Sequence, residues 1–189
     1  MSNTLTRNVN GHAVPSAGSY QIDPTHSSLE LVARHLVVTK VRSRFTSWSA
    51  QLAIAENPTE STLAVTIEMD SFSSGDDSRD GHVKGADFFD VEQFPSATFR
   101  STTISPVSSD TWSVIGDLTI KGVTAPATLE VTFGGVVTDP FGNDKALFSA
   151  EATLNREDWG ITWNAPLEAG GLLVSKNVQL ELEVQAVAG

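Results

Sequence analysis

The stretch VQLELEVQA, residues 178–186, alternates apolar and polar residues along its whole length. Successive side chains of a β-strand point to opposite faces of a sheet, so this period of two predicts a strand with one dry and one wet face. The same alternation recurs in seven further segments: residues 29–37, 48–54, 63–69, 97–101, 112–120, 129–137 and 148–154. The chain is therefore predicted to be all-β, with about eight antiparallel strands.

Turn-forming residues separate these segments, for example at 108–110 and 139–144. Phe45 is out of phase with the strand that starts at Trp48, which predicts a bulge or bend between them. No repeat or linker interrupts the pattern, so we predict one domain over residues 20–189, after a flexible N-terminal tail over residues 1–19. Eight such strands can close into a barrel or split into a sandwich, and the alternation is compatible with both.

The alternation stops at residues 78–86, which predict a short helix. Asp77 or Ser78 would cap its first turn, and Gly85 would suit its end. A helix of this size between two strands would cover one mouth of a barrel.

The composition limits the classes of partner. The chain has 189 residues, 40% of them hydrophobic, and a net charge of -11 at pH 7. A surface this acidic repels nucleic acid and anionic membranes, so neither is an expected partner. No apolar run approaches the ~18 residues of a membrane span, and the N-terminal segment lacks the apolar core of a secretory signal. We therefore expect no membrane insertion and a cytoplasmic location.

Arg79, Asp80 and His82 are the residues that most resemble a catalytic group. A carboxylate beside an imidazole is typical of acid–base catalysis, which makes an enzyme that uses Asp80 and His82 at the barrel mouth one alternative. An Arg79–Asp80 pair that fixes the helix to the rim explains the same residues without chemistry, and this interpretation is favoured. P-loop, dinucleotide-binding and nucleophile-elbow motifs are absent from the sequence, which also favours a protein that is not an enzyme.

His35 falls on the apolar face of its predicted strand. It is either a core histidine bonded to a backbone carbonyl or a polar anchor for a ligand inside an apolar cavity. Trp159 and Trp163 lie in one short loop, where core packing is the favoured interpretation and a ligand portal the other. The spacing of the four histidines matches no compact metal motif, so no metal site is expected.

Several motifs, in their order along the chain, resemble those of the YceI family, whose members are lipocalin-like antiparallel barrels. The similarity covers roughly residues 20–187, with Ser43 where the family usually has Gly. The motifs are Asp-Pro-Thr-His-Ser at 23–27, Arg-His-Leu at 34–36, Val-Arg-Ser-Arg-Phe at 41–45, Arg-Asp-Gly-His at 79–82, Asp-Phe-Phe-Asp at 87–90, Phe-Pro at 94–95, the strand and turn at 116–124 and the Arg-x-Asp-aromatic-Gly loop at 156–160.

The resemblance implies a single eight-stranded antiparallel lipocalin-like barrel with a short helix over one mouth, where Phe88 and Phe89 would act as a plug. It implies binding of an isoprenoid or similar long-chain amphiphilic lipid in the interior, for storage, sequestration or transport. No cofactor is required, although the bound molecule could be a quinone, and a homodimer is expected. A third alternative is an interaction protein whose barrel is filled by its own side chains.

Strand parity then selects the residues that would line the cavity. They are Leu31, Ala33, His35, Trp48, Val65, Ile67, Phe99, Trp112, Val114, Phe133, Phe148 and Leu182. Cations are scarce in this acidic chain, which favours a neutral head group such as a quinone or an amide. The basic residues that could gather near one end are Arg34, Lys40, Arg42 and Arg44, of which Arg34 has outward parity.

Overall fold

The computed structural model describes residues 6–189, and within them antiparallel strands dominate. The strands are β1 (Thr6–Val9), β2 (His12–Pro15), β3 (Gly18–Ile22), β4 (Ser28–His35), β5 (Thr39–Phe45), β6 (Trp48–Ile54), β7 (Thr62–Glu68), β8 (Phe72–Ser73), β9 (Ser96–Pro106), β10 (Thr111–Ile120), β11 (Val123–Thr138), β12 (Asp144–Asn155) and β13 (Asn177–Ala188). The helix α1 spans Asp77–Lys84, and short 3-10 turns lie at Pro58–Glu60, Met69–Ser71 and Arg156–Trp159.

Eight of these strands form a closed barrel. The hydrogen-bonded order is β12-β11-β10-β9-β7-β6-β3-β13, and β13 pairs back to β12 along its whole length, from Lys145 opposite Val187 to Asn155 opposite Asn177. Closure leaves no open edge in this ring of strands, which a sandwich would have. The predicted all-β fold and the eight-stranded lipocalin-like barrel are therefore confirmed.

The remaining strands β4, β5 and β8 extend the barrel beside the helix. β4 continues β3 along the edge of β13, β5 pairs with β4, and β8 pairs with β5. The chain bends between β5 and β6, as predicted from the phase of Phe45. Because of this bend, Phe45 pairs with Phe72 of β8, while Trp48 pairs with Ile67 of β7.

The helix α1 differs slightly from its predicted bounds. Asp76 is the capping residue, since its backbone is extended and its side chain accepts a hydrogen bond from the Arg79 backbone N–H. Asp77 and Ser78, which we expected to cap, already lie inside the first turn. Gly85 follows the last helical residue, as expected. Within residues 6–189, no helix is both long enough and apolar enough to cross a membrane.

The N-terminal segment differs more strongly from the predicted flexible tail. Residues 6–15 form the hairpin β1–β2, whose turn is Asn10-Gly11, both with positive φ. An Asn-Gly turn of this kind matches the twist of a tight hairpin and was the missed signal. The hairpin docks on the barrel through the buried Val14, and Arg7 lies 3.1 Å from Glu56. The first five residues of the predicted tail lie outside the described part of the chain.

Candidate functional site

A cavity of about 470 Å³ occupies the half of the barrel next to α1. We call it the main cavity. Its volume falls within the range of about 300–1,000 Å³ that is usual for small-molecule pockets. Its wall is largely apolar and comes from the inward faces of β4, β5, β7, β9, β10, β12 and β13, closed over by α1 and the segments around Phe88 and Trp163.

Aromatic rings line the mouth of the main cavity. The His82 ring lies edge-on to Trp163, with 4.6 Å between ring centroids, and Phe88 packs 5.3 Å from Trp163. Phe89 packs instead on the other side, 6.0 Å from Phe45. Phe88 and Phe89 are both buried and both line the cavity, and their role as a plug stays a prediction.

The polar residues of α1 do not form the arrangement that we expected. Asp80 accepts hydrogen bonds from the Ser74 backbone N–H and hydroxyl, and Arg79 Nε donates to Ser74 Oγ at 2.8 Å. The two residues therefore meet through Ser74, which ties the helix to β8, and the direct Arg79–Asp80 pair is replaced. His82 Nε2 lies 2.8 Å from Asp87 Oδ2, so the structure pairs it with a different carboxylate from Asp80.

The loop after β12 supplies both a core residue and a mouth residue. Trp159 is 2% exposed, and its indole N–H donates to the Leu118 carbonyl at 2.8 Å. Trp163 is half-buried and lines the main cavity beside His82. Core packing therefore describes Trp159, while a portal role for Trp163 stays a prediction.

Arg156, in the same loop, was missed as a site residue. It lines the main cavity and is only 6% exposed. Nε donates to the Ser175 carbonyl at 2.9 Å and Nη1 to the Ile161 carbonyl at 2.8 Å, while Nη2 is buried without a hydrogen-bond partner among residues 6–189. Burial lowers the pKa of the Arg156 guanidinium, and the Glu157 carboxylate partly opposes this effect. The sequence did contain a signal for this residue, because position 156 continues the alternation by which Ala152 and Leu154 point into the barrel.

A second cavity of about 120 Å³ lies in the other half of the barrel. Val14 and Pro15 of the N-terminal hairpin and Pro58 help to close it. Its wall is almost wholly apolar. Trp112 also borders this space, and its buried indole N–H has no hydrogen-bond partner in the described part of the chain. Its ring lies edge-on to His12, with 5.5 Å between ring centroids.

The predicted cavity-lining residues divide between these two spaces. Leu31, Ala33, His35 and Ile67 line the main cavity. Trp48, Val65, Trp112, Val114, Phe133, Phe148 and Leu182 line the second cavity. Phe99 lines neither. Parity identified the inward face well, but it could not show that the interior is divided. Contact of these residues with a ligand stays a prediction.

A layer of buried side chains lies between the two cavities, and we call it the partition. Each member points into the barrel, in phase along its strand with residues that line one of the cavities. The members are Leu29, Phe99, Ala127 and Ala152. Phe99, for example, is opposite Val65 of the second cavity and Leu118 of the main cavity. Gly116 makes room for its ring, because a Cβ at that position would lie 2.5 Å from Phe99 Cζ.

A closed eight-stranded antiparallel barrel with an apolar interior and a helix at one mouth defines a lipocalin-like barrel. Residues 20–186 match the YceI-like domain, so the chain belongs to the YceI family. The predicted resemblance to this family is confirmed.

Related sequences and structures agree with this assignment. The UPF0312 proteins SAB2563 and SAS2572 of two Staphylococcus aureus strains are each 34% identical to this chain, covering 88% of it and 96% of their own length. Burkholderia cenocepacia BcnA has the same fold, with a TM-score of 0.76 and 24% identity over 87% of this chain and 98% of its own. A Campylobacter jejuni YceI protein gives 0.70 and 27%, over 82% and 90%.

A further structural neighbour is a polyisoprenoid-binding domain from Saccharophagus degradans that is implicated in plant cell wall breakdown. Its TM-score is 0.65 with 17% identity, over 90% of this chain and 98% of that domain. At this identity, the likeness concerns the fold alone.

Proposed function

We propose that this protein binds an isoprenoid or a similarly long amphiphilic chain in the main cavity, and that it stores or carries this ligand. The observation that supports the proposal is an apolar space of about 470 Å³ inside a barrel, with a few polar side chains such as His35, Arg79 and His82 among its lining residues. Burial of each methylene contributes ~0.8 kcal/mol, so a chain of a few isoprene units supplies enough free energy to outweigh the cost of ordering it.

The comparisons favour the same class of ligand. The chain belongs to the YceI family, and one structural neighbour is described as a polyisoprenoid-binding domain. Both support lipid binding in general. The particular chain length, and the choice between storage, sequestration and transport, belong to our proposal.

Binding is favoured over catalysis by the contacts of the mouth residues. The Asp80 carboxylate accepts hydrogen bonds from Ser74, and His82 is paired with Asp87. The two residues named for acid–base chemistry therefore have different partners. The alternative of a completely filled barrel is disfavoured by the volume of the main cavity, although the partition does fill the middle of the interior.

The test is native mass spectrometry of the freshly purified protein, followed by solvent extraction of what it releases. We expect an excess mass that is recovered as an isoprenoid or fatty chain. Ala97→Phe fills the main cavity and should abolish this excess mass, because Ala97 is buried in its wall. Ala150→Phe is the matched control, since Ala150 borders the second cavity.

Two outcomes would contradict the proposal. A bare protein mass that persists after incubation with quinones and prenyl lipids would favour an interaction protein. Equal ligand retention in Ala97→Phe, Ala150→Phe and the unchanged protein would show that the ligand lies elsewhere. Circular dichroism of each variant must first show that it is folded.

Three narrower expectations stay predictions. A quinone remains one candidate ligand, and the extraction step would identify it. The homodimer expected from the resemblance would appear as twice the chain mass in the same native spectrum. The cytoplasmic location stays an expectation from the sequence.

A further inference from the structure

The charged residues around the main cavity have a balance opposite to that of the whole chain. Three arginines line it, Arg34, Arg79 and Arg156, with Asp76 as the carboxylate among the lining residues. The chain as a whole carries 23 acidic and 12 basic residues. The Asp76 carboxylate is engaged as the cap of α1. Among the lining residues, arginines therefore outnumber carboxylates.

Arg156 is the most informative of the three arginines because it is buried. A guanidinium stays protonated in proteins, and a buried charge without a counter-ion is costly. Within residues 6–189, Arg156 has no carboxylate within salt-bridge distance, and its two hydrogen bonds go to neutral carbonyl oxygens. The adjacent Glu157 carboxylate acts on Arg156 through space, but its direct ion pair, at 3.2 Å, is with Lys176.

Arg34 and Arg79 lie at the exposed rim of the same space. Arg34 donates to the Val38 carbonyl, and Arg79 donates to Ser74, so both also have neutral partners. Arg42 provides a contrast, because it lies outside the cavity lining and contacts Glu30 at 3.1 Å and Glu181 at 2.6 Å. Carboxylates of the protein contact Arg42 directly, whereas within residues 6–189 no carboxylate lies within salt-bridge distance of Arg34, Arg79 or Arg156, and Asp80 reaches Arg79 through Ser74 Oγ.

We propose that the ligand of the main cavity carries an anionic head group, a carboxylate or a phosphate, and that Arg156 binds it, assisted by Arg34 and Arg79 at the rim. This inference rests on the proposed lipid binding and specifies its head group. An anionic oxygen supplies both the acceptor that Nη2 lacks and the missing counter-charge. The scarcity of cations in the sequence favoured a neutral head group, but the fold concentrates three of them at one place.

The test compares ligands that share a tail and differ in the head group. Geranylgeranyl phosphate is compared with geranylgeraniol, and palmitate with hexadecanol, by displacement of a fluorescent apolar probe. We expect each anion to bind at least ~10-fold more tightly than its alcohol, the effect of one or two charge-assisted hydrogen bonds. The pair with the larger ratio distinguishes a phosphate from a carboxylate ligand.

Variants then assign the preference to particular arginines. Arg156→Gln should remove most of the difference between anion and alcohol, Arg156→Lys should retain part of it, and Arg79→Gln should reduce it less. Arg44→Gln, an exposed position outside the cavity lining, should leave the preference unchanged. Arg79→Gln keeps the test usable if the buried Arg156 variants do not fold.

Equal binding of anions and alcohols by the unchanged protein would overturn the inference. So would a folded Arg156→Gln variant that retains the full preference. If neither anions nor alcohols displace the probe, the proposed lipid binding itself fails, which is a different result.

Discussion

The two cavities of the barrel interior are built from the same alternating strands but differ in size and polarity. The main cavity, about 470 Å³, lies under α1 and has arginines and histidines at its mouth, whereas the second, about 120 Å³, is almost wholly apolar and closed by the N-terminal hairpin. The difference comes from the segments at the two ends. A polar helix between β8 and β9 brings charged groups to one end, while Val14 and Pro15 bring apolar surface to the other.

The partition decides whether these are two spaces or one. Phe99 provides its largest side chain, and its ring lies over Gly116, where any Cβ would also meet the Arg100 carbonyl at 2.4 Å. We expect that removal of this ring would open space between the main and second cavities. We therefore infer that Phe99 limits how deeply the tail of a ligand enters.

Phe99→Ala has the largest expected effect. Removing a buried aromatic ring from a core costs about 3–5 kcal/mol of unfolding free energy, measured by urea denaturation. The same change should allow longer chains to be retained, measured as a shift of the extracted ligands toward higher mass. Phe148→Ala, which only enlarges the second cavity, is the control and should not shift them. An unchanged ligand distribution in Phe99→Ala would contradict the role of the partition.

Two tryptophan substitutions, one beside each cavity, have the next largest expected effect on the free energy of unfolding. Trp159→Phe loses the hydrogen bond to the Leu118 carbonyl, while Trp112→Phe removes an indole N–H that has no partner within residues 6–189. Both changes delete the same atoms, so their difference isolates the hydrogen bond. We expect Trp159→Phe to be more destabilising by about 1–3 kcal/mol in urea denaturation. Equal losses would mean that Trp112 Nε1 is satisfied, for example by water in the second cavity.

Most of the fold was predictable from the sequence because alternation is a local property of each strand. The closed barrel was not, since closure depends on the pairing of β12 with β13, and only the family resemblance indicated it. The hairpin at residues 6–15 could have been predicted from Asn10-Gly11.

The candidate site was predictable in part. Parity gave the inward face, including His35, but the division of the interior depends on how far the Phe99 ring reaches across it. Arg156 was missed because the sequence does not show that its guanidinium is buried or which groups surround it. Its position does, however, continue the alternation of inward-facing residues along β12. Arg34 lines the cavity despite its outward parity, since its strand ends at the mouth.

The smallest expected effect concerns an ion pair that joins β12 to the segment before β4. Lys145 Nζ lies 2.7 Å from Asp23 Oδ2, and His26 contacts the same carboxylate. Hydrogen bonds from Lys145, and then from His26, hold the pKa of Asp23 well below its usual range. Because the unfolded chain then binds this proton more readily than the folded protein, the contribution of Asp23 to stability is present above a pH of about 4 and is lost as the pH falls further.

Asp23→Asn should therefore lower the urea midpoint at pH 7 and reduce the further loss of stability between pH ~5 and ~2. Asp87→Asn, which removes the exposed pair with His82 at the other end of the barrel, is the control and should leave this acid dependence nearly unchanged. Lys145 keeps Asp139 at 3.8 Å in the variant, so the effect should be modest. An identical acid dependence in Asp23→Asn and the unchanged protein would show that the pair does not help to hold this end of the barrel closed.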